Sequence, residues 1–542
     1  MAGTPEPSST DELQAYYIEL KKDSMCYKLD HNRSEQIAGG EIPNPLHKQF
    51  GLMLAKLDET LVKESKDSEK YLIILSMKAS IIYEKAKILL IHDFLDESKD
   101  LLYEALNLIR DHSDHPKVAF LHMRIVNHLS HILLRLGHLE QAEQLLLRVI
   151  EKGEKCNPEV FSTDDLFMNT KESPKTCSSK LSSLVISNMQ MLSWIYIRIG
   201  KDTNANLKLQ HDILQKEMDT AERDVLRWAE SCFQLGSMFV RGGDWPNAAY
   251  HLTAAESILS PLEAALVPNP EVYALQADLA RTWIFYGLQL FRISRKNNIQ
   301  SGTEADTFKN LNKCDGDDAA ELSATPLSYE TPMIFSFQSL NIESHEYVPT
   351  SVITSVEEAK CLFAYTQKWI KRARLFYTLR DYPLQYVNLS LDESELYRFM
   401  AFYEEDLDSQ YAVQKRRYDA LEMLSSILKE LRPNCYVAVN MELMKELVEV
   451  QMELMNLNLK KLYSPPQGLG WNANEDILKR KIGAFASIYK QLENVTLFLN
   501  INDGDVLTKG AEIPEIHDEA EFGARNQEVS PDISWFLPTD GC

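Results

Sequence analysis

The sequence has few of the motifs from which catalytic and metal sites are commonly built. Its 8 Cys residues include no Cys-x-x-Cys pair, so a zinc ribbon or dithiol redox site is excluded and reduced thiols are expected. Residues 199–202 contain Gly-Lys, but Ile195 and Asp202 replace the Gly and the Ser or Thr that a phosphate-binding loop needs. His128 and His131 share a helix without an HExxH motif, and we interpret them as ordinary helix residues. We therefore expect no enzymatic activity, no metal and no cofactor.

Long hydrophobic runs and a secretory signal are also missing. Residues 1–11 lack the basic and then apolar pattern of a signal peptide. The most apolar stretch, Tyr71 to Phe94, is broken by Lys78, Glu84, Lys85 and Lys87, which argues against a membrane span. The sequence thus favours a cytoplasmic protein that does not insert into membranes.

Positive charge is scarce, since 57 Lys and Arg face 80 Asp and Glu for a net charge of −23. Such a balance argues against nucleic acid or an anionic membrane as the main partner. The acidity is concentrated in residues 301–350, with nine acids and two bases, and 503–542, with ten and two. Most of the net charge therefore belongs to segments that we expect to be loops.

Only 20 Gly and 21 Pro interrupt the chain, and helical periodicity dominates it. Arg227–Ser260 is the clearest stretch and predicts two antiparallel helices joined by a turn at Gly242-Gly243. The pattern places Gly236 opposite Ala248, so that two helix backbones approach closely. A small residue in helix A, an aromatic residue three positions later and Ala in helix B are typical of a tetratricopeptide (TPR) unit.

The same pattern recurs upstream and predicts a repeat. Turns are expected at Asp93, Gly137, Gly200 and Gly243, with gaps of 44, 63 and 43 residues. The two matching gaps exceed the usual 34-residue TPR period, and the longer gap contains the polar segment 157–179. We predict helix pairs over 69–110, 117–152, 181–218 and 227–260. The fold class is all-α, a TPR-like right-handed α-solenoid of antiparallel helix pairs in two subdomains joined by a linker.

The domain organisation follows from where the periodicity stops. We expect a divergent helix and loop over 1–45, an N-terminal TPR-like subdomain over 46–295 with the polar insert 157–179, an acidic flexible linker over 296–350, a C-terminal helical subdomain over 351–502 and an acidic disordered tail over 503–542. Later helices are predicted at 356–380, 391–430, 434–462 and 474–500. Ser390 and Glu393 match a capping box for the second of these. Trp369, in the basic segment Lys368–Arg374, is assigned to the core rather than to nucleic-acid stacking.

A partner is expected to bind the concave face, which is lined in TPR proteins by helix A positions that point away from helix B. The register assigns to this groove Asn127, His131, Arg135, Gln190, Trp194, Arg198, Phe233, Ser237 and Arg241. The three Arg residues fall in one column, which suits recognition of a partner. They also suit a simpler role, complementing the carboxyl ends of their helices. The first two groove positions of each helix A lack the Lys-Asn pair that TPR adaptors for chaperone tails carry there, which argues against such an adaptor.

Several stretches, in order, resemble the KIF-binding (kinesin-binding) protein family. They are Ile81–Ile109, Arg227–Leu259, Asp278–Leu290, Leu396–Leu424 and Asn440–Leu462. The resemblance is most specific at Phe399–Glu404 and Lys415–Tyr418, which a generic TPR repeat does not require.

The resemblance implies a cytoplasmic, cytoskeleton-associated regulator that binds kinesin motor domains, blocks their attachment to microtubules and is needed for axon growth. Other cytoskeletal partners are also compatible with it. Members of the family continue with further helices after the segment that matches 474–500, whereas an acidic tail is expected here. The alternative is a generic TPR scaffold that binds a peptide or several proteins. Because a kinesin's microtubule-facing surface must be basic, an acidic protein would be steered towards it.

Overall fold

The computed structural model describes residues 12–22, 24, 44–66, 68–153, 155–168, 173–200, 203–220, 224–263, 269–304, 335–340, 342, 348–431 and 437–463. Every regular element in these ranges is a helix, which confirms the all-α class. The described chain divides into two compact units between Thr220 and Asp224. The expected division at the linker 296–350 is therefore wrong, because the fourth helix pair packs with the helices that follow it.

Unit 1, residues 12–220, contains nine α-helices in the part of the chain described. They are α1 (12–22), α2 (Asn44–Lys63), α3 (Glu69–Ile91), α4 (Leu95–Ile109), α5 (Ala119–Arg135), α6 (Leu139–Gly153), α7 (Thr163–Met168), α8 (Pro174–Ile199) and α9 (Thr203–Met218). From α2 to α9 the helices pack one on the next, except that α6 packs on α8 and the short α7 packs on α3, and α5 also packs on α8. The pairs α3–α4, α5–α6 and α8–α9 are the predicted ones.

The turns of the pairs lie where the register predicts them. Asp93, Gly137, Gly200 and Gly243 have left-handed backbones, with φ of 65°, 80°, 64° and 75°. Gly adopts this conformation without the steric cost that a side chain brings, but Asp93 has a Cβ. Its carboxylate forms an ion pair with Arg135 Nη2 at 2.5 Å, which ties this turn to the end of α5.

The polar insert 157–179 is not a loop throughout. It contains α7 and the first turns of α8. Thr163 Oγ1 lies 2.9 Å from Ser80 Oγ in α3, and the ring of Phe167 stacks on Tyr17 of α1 with 4.3 Å between centroids. Tyr17 also donates to Asp164 Oδ1 at 2.7 Å. The insert therefore fastens α1 to α3, since Thr163 contacts α3 while Asp164 and Phe167 contact α1.

Unit 2, residues 224–463, contains seven described helices. They are α10 (Val225–Gly242), α11 (Trp245–Glu263), α12 (Pro270–Glu304), α13 (Val356–Phe376), α14 (Pro383–Tyr403), α15 (Leu407–Leu431) and α16 (Val437–Tyr463). The predicted pair is α10–α11. A Cβ at Gly236 would lie 2.9 Å from Leu252 Cδ2, which confirms that the small residue lets the helices approach.

The helix α12 packs directly against α13. A Cβ at Gly287 would lie only 2.1 Å from Thr366 Oγ1, so the backbone of α12 is in close contact with α13. Next to this crossing, Trp283 stacks on Trp369 with 5.8 Å between ring centroids, and both side chains are buried. The assignment of Trp369 to the core is confirmed, and residues 296–350 do not separate two subdomains.

Part of the expected linker is docked. Residues 296–304 continue α12, and residues 335–340 lie against α10 and α11. Phe337 is 3% exposed, packs against Trp228 and His251, and donates its backbone N–H to Tyr250 Oη at 2.7 Å. The expectation of a flexible linker is therefore wrong for 335–340, where aromatic side chains fill a pocket. Residues 305–334 lie outside the described residues.

Two predictions in the C-terminal region are also wrong. The predicted helix 391–430 is divided between α14 and α15 at Glu404–Asp406, where Asp406 Oδ1 accepts from the Ser409 N–H at 3.0 Å and caps the start of α15. Ser390 lies inside α14 and donates to the Tyr386 carbonyl at 3.0 Å, so it caps nothing. The capping box is formed by Ser355 and Glu358 at the start of α13. The predicted helix 474–500 and tail 503–542 lie outside the described residues.

Candidate partner-binding surface

The candidate positions on α5 are mostly buried. Asn127 is 0% exposed, and its amide donates to Ser187 Oγ at 3.2 Å and Asn188 Oδ1 at 3.0 Å in α8. His131 is 5% exposed. Only Arg135, in the last turn, is exposed, and it pairs with Asp93. On α5 a partner would therefore reach Arg135 but not Asn127 or His131.

The candidate positions form three rows, one along each of α5, α8 and α10, and the row on α8 is the most accessible. Gln190 is partly exposed and donates to Glu217 Oε1 of α9 at 3.2 Å. Trp194 is also partly exposed, and the guanidinium of Arg198 lies 4.9 Å from its ring centroid. Trp and Arg are the residue types that most often dominate the energy of a protein interface. This stacked pair is preorganised, since the cation and the ring already fix each other.

The candidate positions on α10 repeat the pattern of α5. Phe233 is 2% exposed and Ser237 9% exposed, on a helix that packs against α12. Arg241 is exposed, and its guanidinium lies 6.0 Å from the ring of Phe285 in α12.

The three rows share one arrangement. The first two candidate positions on α5 are covered by α8, and those on α10 are covered by α12. On all three helices, the Arg at the third position lies in the last turn and is exposed. The assignment of Asn127, His131, Phe233 and Ser237 to an open groove is therefore wrong. The period of one helix does not reveal how closely the next helix packs. In the last turn, each Arg also meets the negative end of its helix dipole.

Three histidines lie on α5, of which His128 and His131 are buried and His122 is partly buried. Burial lowers the pKa of His122 and of His131 to about 4 and that of His128 to about 3, because a charged imidazole loses its hydration there. The charge of Arg135 lowers the pKa of His131 further. His128 Nδ1 is within 3.2 Å of Tyr83 Oη. Neither ring nitrogen of His131 has a hydrogen-bond partner in the described residues.

Within the described ranges, no three His, Cys, Asp or Glu side chains come together as metal ligands would. In those same ranges, no helix combines the length and the apolar character that crossing a membrane requires.

Sequence reasoning missed a buried ion network in unit 2. Arg417 of α15 is 0% exposed, and its guanidinium donates to Ser394 Oγ at 2.7 Å and to Glu446 Oε2 at 2.6 Å. Ser394 Oγ in turn donates to Glu446 at 2.8 Å. Arg398 of α14 pairs with Glu449 at 2.9 Å. The signal in the sequence was the segment Lys415–Tyr418, on which the family resemblance is most specific. Its pattern is that of a basic cluster on the surface, but Arg417 within it is buried.

The fold and the surface define a class: an all-α protein of TPR-like helix pairs whose exposed side chains suit protein recognition. A family model described as "KIF-1 binding protein C terminal" matches residues 226–506, slightly more than half of the chain. The chain belongs to this KIF-binding protein family.

Curated relatives and a solved structure agree with this assignment. A KIF-binding protein of Xenopus tropicalis is 24% identical over 348 residues, 59% of this chain and 54% of that protein. One of Drosophila melanogaster is 22% identical over 372 residues, 65% and 60%, and one of Danio rerio is 26% identical over 267 residues, 46% and 41%. The chain thus spans about half the length of the curated relatives it matches. A solved kinesin binding protein (KBP) superposes with a TM-score of 0.51 at 14% identity, over 91% of this chain and 84% of that one, which shows a shared fold.

Proposed function

We propose that this protein is a non-enzymatic regulator that binds kinesin motor domains and blocks their attachment to microtubules. The observation that carries the proposal is family membership over residues 226–506, the region that holds most of unit 2. The proposal includes a cytoplasmic, cytoskeleton-associated location and an effect on microtubule-based transport and axon development. Other cytoskeletal proteins are secondary partners in this hypothesis.

Charge supports the choice of partner. The chain carries a net charge of −23, and a motor surface that binds acidic tubulin must be basic. Opposite charges accelerate the encounter of two proteins and orient them. Short-range contacts must then supply selectivity among motors.

We assign those contacts to the exposed ends of the A-helix rows. On α8 these are Trp194 and Arg198, with Gln190 beside them, on α5 Arg135, and on α10 Arg241. The Trp194–Arg198 stack is the strongest candidate, since an aromatic ring and a guanidinium offer a large contact area at low entropic cost. Asn127, His131, Phe233 and Ser237 support these rows from inside.

The experiment is microtubule co-sedimentation of a panel of purified kinesin motor domains with and without the full-length protein. We expect at least one motor to leave the microtubule pellet and to co-purify with the protein. The double variant Arg198→Glu with Arg241→Glu should weaken that binding by about tenfold or more, as loss of interface hot spots does.

The matched control is Arg148→Glu with Lys371→Glu. This pair makes the same change of charge, one residue in each unit, at exposed positions of α6 and α13 outside the rows. If both double variants weaken binding equally, net charge rather than the rows determines affinity. If no motor is released or captured, the proposed function is wrong.

A further inference from the structure

Unit 2 contains an open cleft of about 480 Å³ between α12 and α14. Its volume falls in the range of ligand sites. Seven residues line it, from one face of each helix: Arg292, Arg295, Lys296, Ile299, Glu395, Arg398 and Phe399.

The cleft is cationic in a strongly acidic protein, with four basic side chains and one carboxylate. Glu395 Oε1 accepts from Arg292 at 2.9 Å, and Arg398 pairs with Glu449 outside the lining. Arg295 and Lys296 pair with no carboxylate in the described part of the chain. Two cations thus lie side by side without local compensation, which concentrates positive potential in the cleft.

The guanidinium groups are held in place but not fully bonded. The guanidinium of Arg295 lies 5.3 Å from the ring centroid of Phe402, which fixes its plane. The Nε atoms of Arg295 and Arg398 are buried and have no hydrogen-bond partner in the described residues. The planar guanidinium group is suited to bidentate binding of a carboxylate or phosphate.

We propose that this cleft binds a short acidic peptide segment of a partner protein. Carboxylates of the segment pair with Arg295 and Lys296, and a neighbouring apolar side chain packs on Ile299, which is 48% exposed. The lining positions of α12 run from Arg292 to Ile299, roughly 10 Å along the helix. That length corresponds to about three residues of extended peptide.

The lining favours a peptide over a free phosphate. Phosphate sites in proteins commonly use unpaired backbone N–H groups at a helix amino terminus. Here the lining residues lie deep inside α12, where those groups are already bonded within the helix. The apolar side chains of the cleft would also contact nothing on a phosphate.

The experiment measures binding of the full-length protein to a fluorescent peptide that alternates Glu, Asp and Leu. The comparison peptide carries Gln and Asn in place of the acids. We expect saturable binding of the acidic peptide that weakens with added salt. Lys296→Glu should weaken it by about tenfold, since a contact is lost and a repulsion is added. Arg295→Gln should weaken it while leaving the helical circular dichroism unchanged.

Lys371→Glu is the matched control, because it makes the same charge change on α13 outside the cleft. Equal losses in Lys296→Glu and Lys371→Glu would overturn the proposal in favour of net charge. Equal affinity for the Gln and Asn peptide would overturn it as well. Displacement of the peptide by tripolyphosphate at lower concentration than by unlabelled acidic peptide would assign the cleft to phosphate compounds instead. None of these outcomes depends on whether kinesin binds.

Discussion

Arg417 gives the sharpest test of what holds unit 2 together. The substitution Arg417→Met keeps the unbranched stem of the side chain but removes the guanidinium from a site with no solvent exposure. It leaves the carboxylate of Glu446, with only 20% of its side chain exposed, without its cation. Removing one partner of a buried ion pair costs about 3–5 kcal/mol, so we expect the free energy of unfolding of unit 2 to fall by that amount.

A double-mutant cycle separates the pair from its surroundings. Glu446→Gln alone should also destabilise unit 2, but Arg417→Met combined with Glu446→Gln should cost less than the sum, since no charge is then left buried alone. The assay is urea unfolding followed by circular dichroism, with hydrogen exchange of α14–α16 amides as the local measurement. Lys415→Met is the control on the same helix. It removes an exposed pair with Asp419 and should cost only about 0.3–0.5 kcal/mol.

The pH dependence supplies an independent check. Burial alone would raise the pKa of Glu446, but its hydrogen bond with Arg417 and the charge of Arg417 outweigh burial, so the pKa lies below the ordinary 4.5. A carboxylate with a lowered folded-state pKa stabilises the fold above its unfolded pKa, and this contribution is lost as the pH falls. The gap in stability between wild type and Arg417→Met should therefore narrow below about pH 4.5. Additive single variants, or a loss no larger than that of Lys415→Met, would refute the role of the network.

Further predictions concern packing and one buried polar group. Gly236→Leu should destabilise unit 2 by roughly 1–3 kcal/mol in thermal unfolding, because its side chain overpacks the α10–α11 contact; Gly287→Ala should do the same at α12–α13, and Thr366→Ala should restore part of that loss. His131→Leu should stabilise unit 1 by about 1–3 kcal/mol, since it removes a buried polar group without partners. Because the folded-state pKa of His131 is about 4, the wild type loses stability as the pH falls from 6.5 towards 4, and His131→Leu should lose less over that window. Phe337→Ala should release residues 335–340, with local opening made easier by about 3 kcal/mol in hydrogen exchange.

Each of these has an outcome that contradicts it. A Gly236→Leu protein with unchanged melting would mean that α10 and α11 are not in close contact. A destabilised His131→Leu protein would mean that the imidazole has a partner such as a buried water. Unaltered exchange of residues 335–340 in Phe337→Ala would mean that the pocket does not hold this segment.

The sequence predicted local features of the fold well at positions where a single physical requirement selects a single residue type. Gly137, Gly200 and Gly243 mark left-handed turns because Gly tolerates positive φ, and Gly236 marks a close approach because it lacks a side chain. Asp93 was found at the same place from the register alone.

The sequence did not predict which faces of the helices remain open. Asn127 and Phe233 have the period of groove residues, but their burial depends on a neighbouring helix whose distance no local pattern encodes. Ser390 and Glu393 have the spacing of a capping box, yet Pro383 had already started the helix. Arg417 looks like a surface cation because its partners, Ser394 and Glu446, are on other helices.

Because of the contacts that helix α12 makes, the two units are expected to unfold differently. In unit 1 the longer helices from α2 to α9 pack one on the next in chain order, with α7 on α3 and α5 also on α8, much as in a stack whose stability is largely a sum over adjacent interfaces and which can melt from an end. In unit 2, α12 contacts α10, α11, α13 and α14 at once. Because none of these four can leave without exposing the same long helix, α10–α14 should lose their structure in a single cooperative step, while unit 1 yields pair by pair.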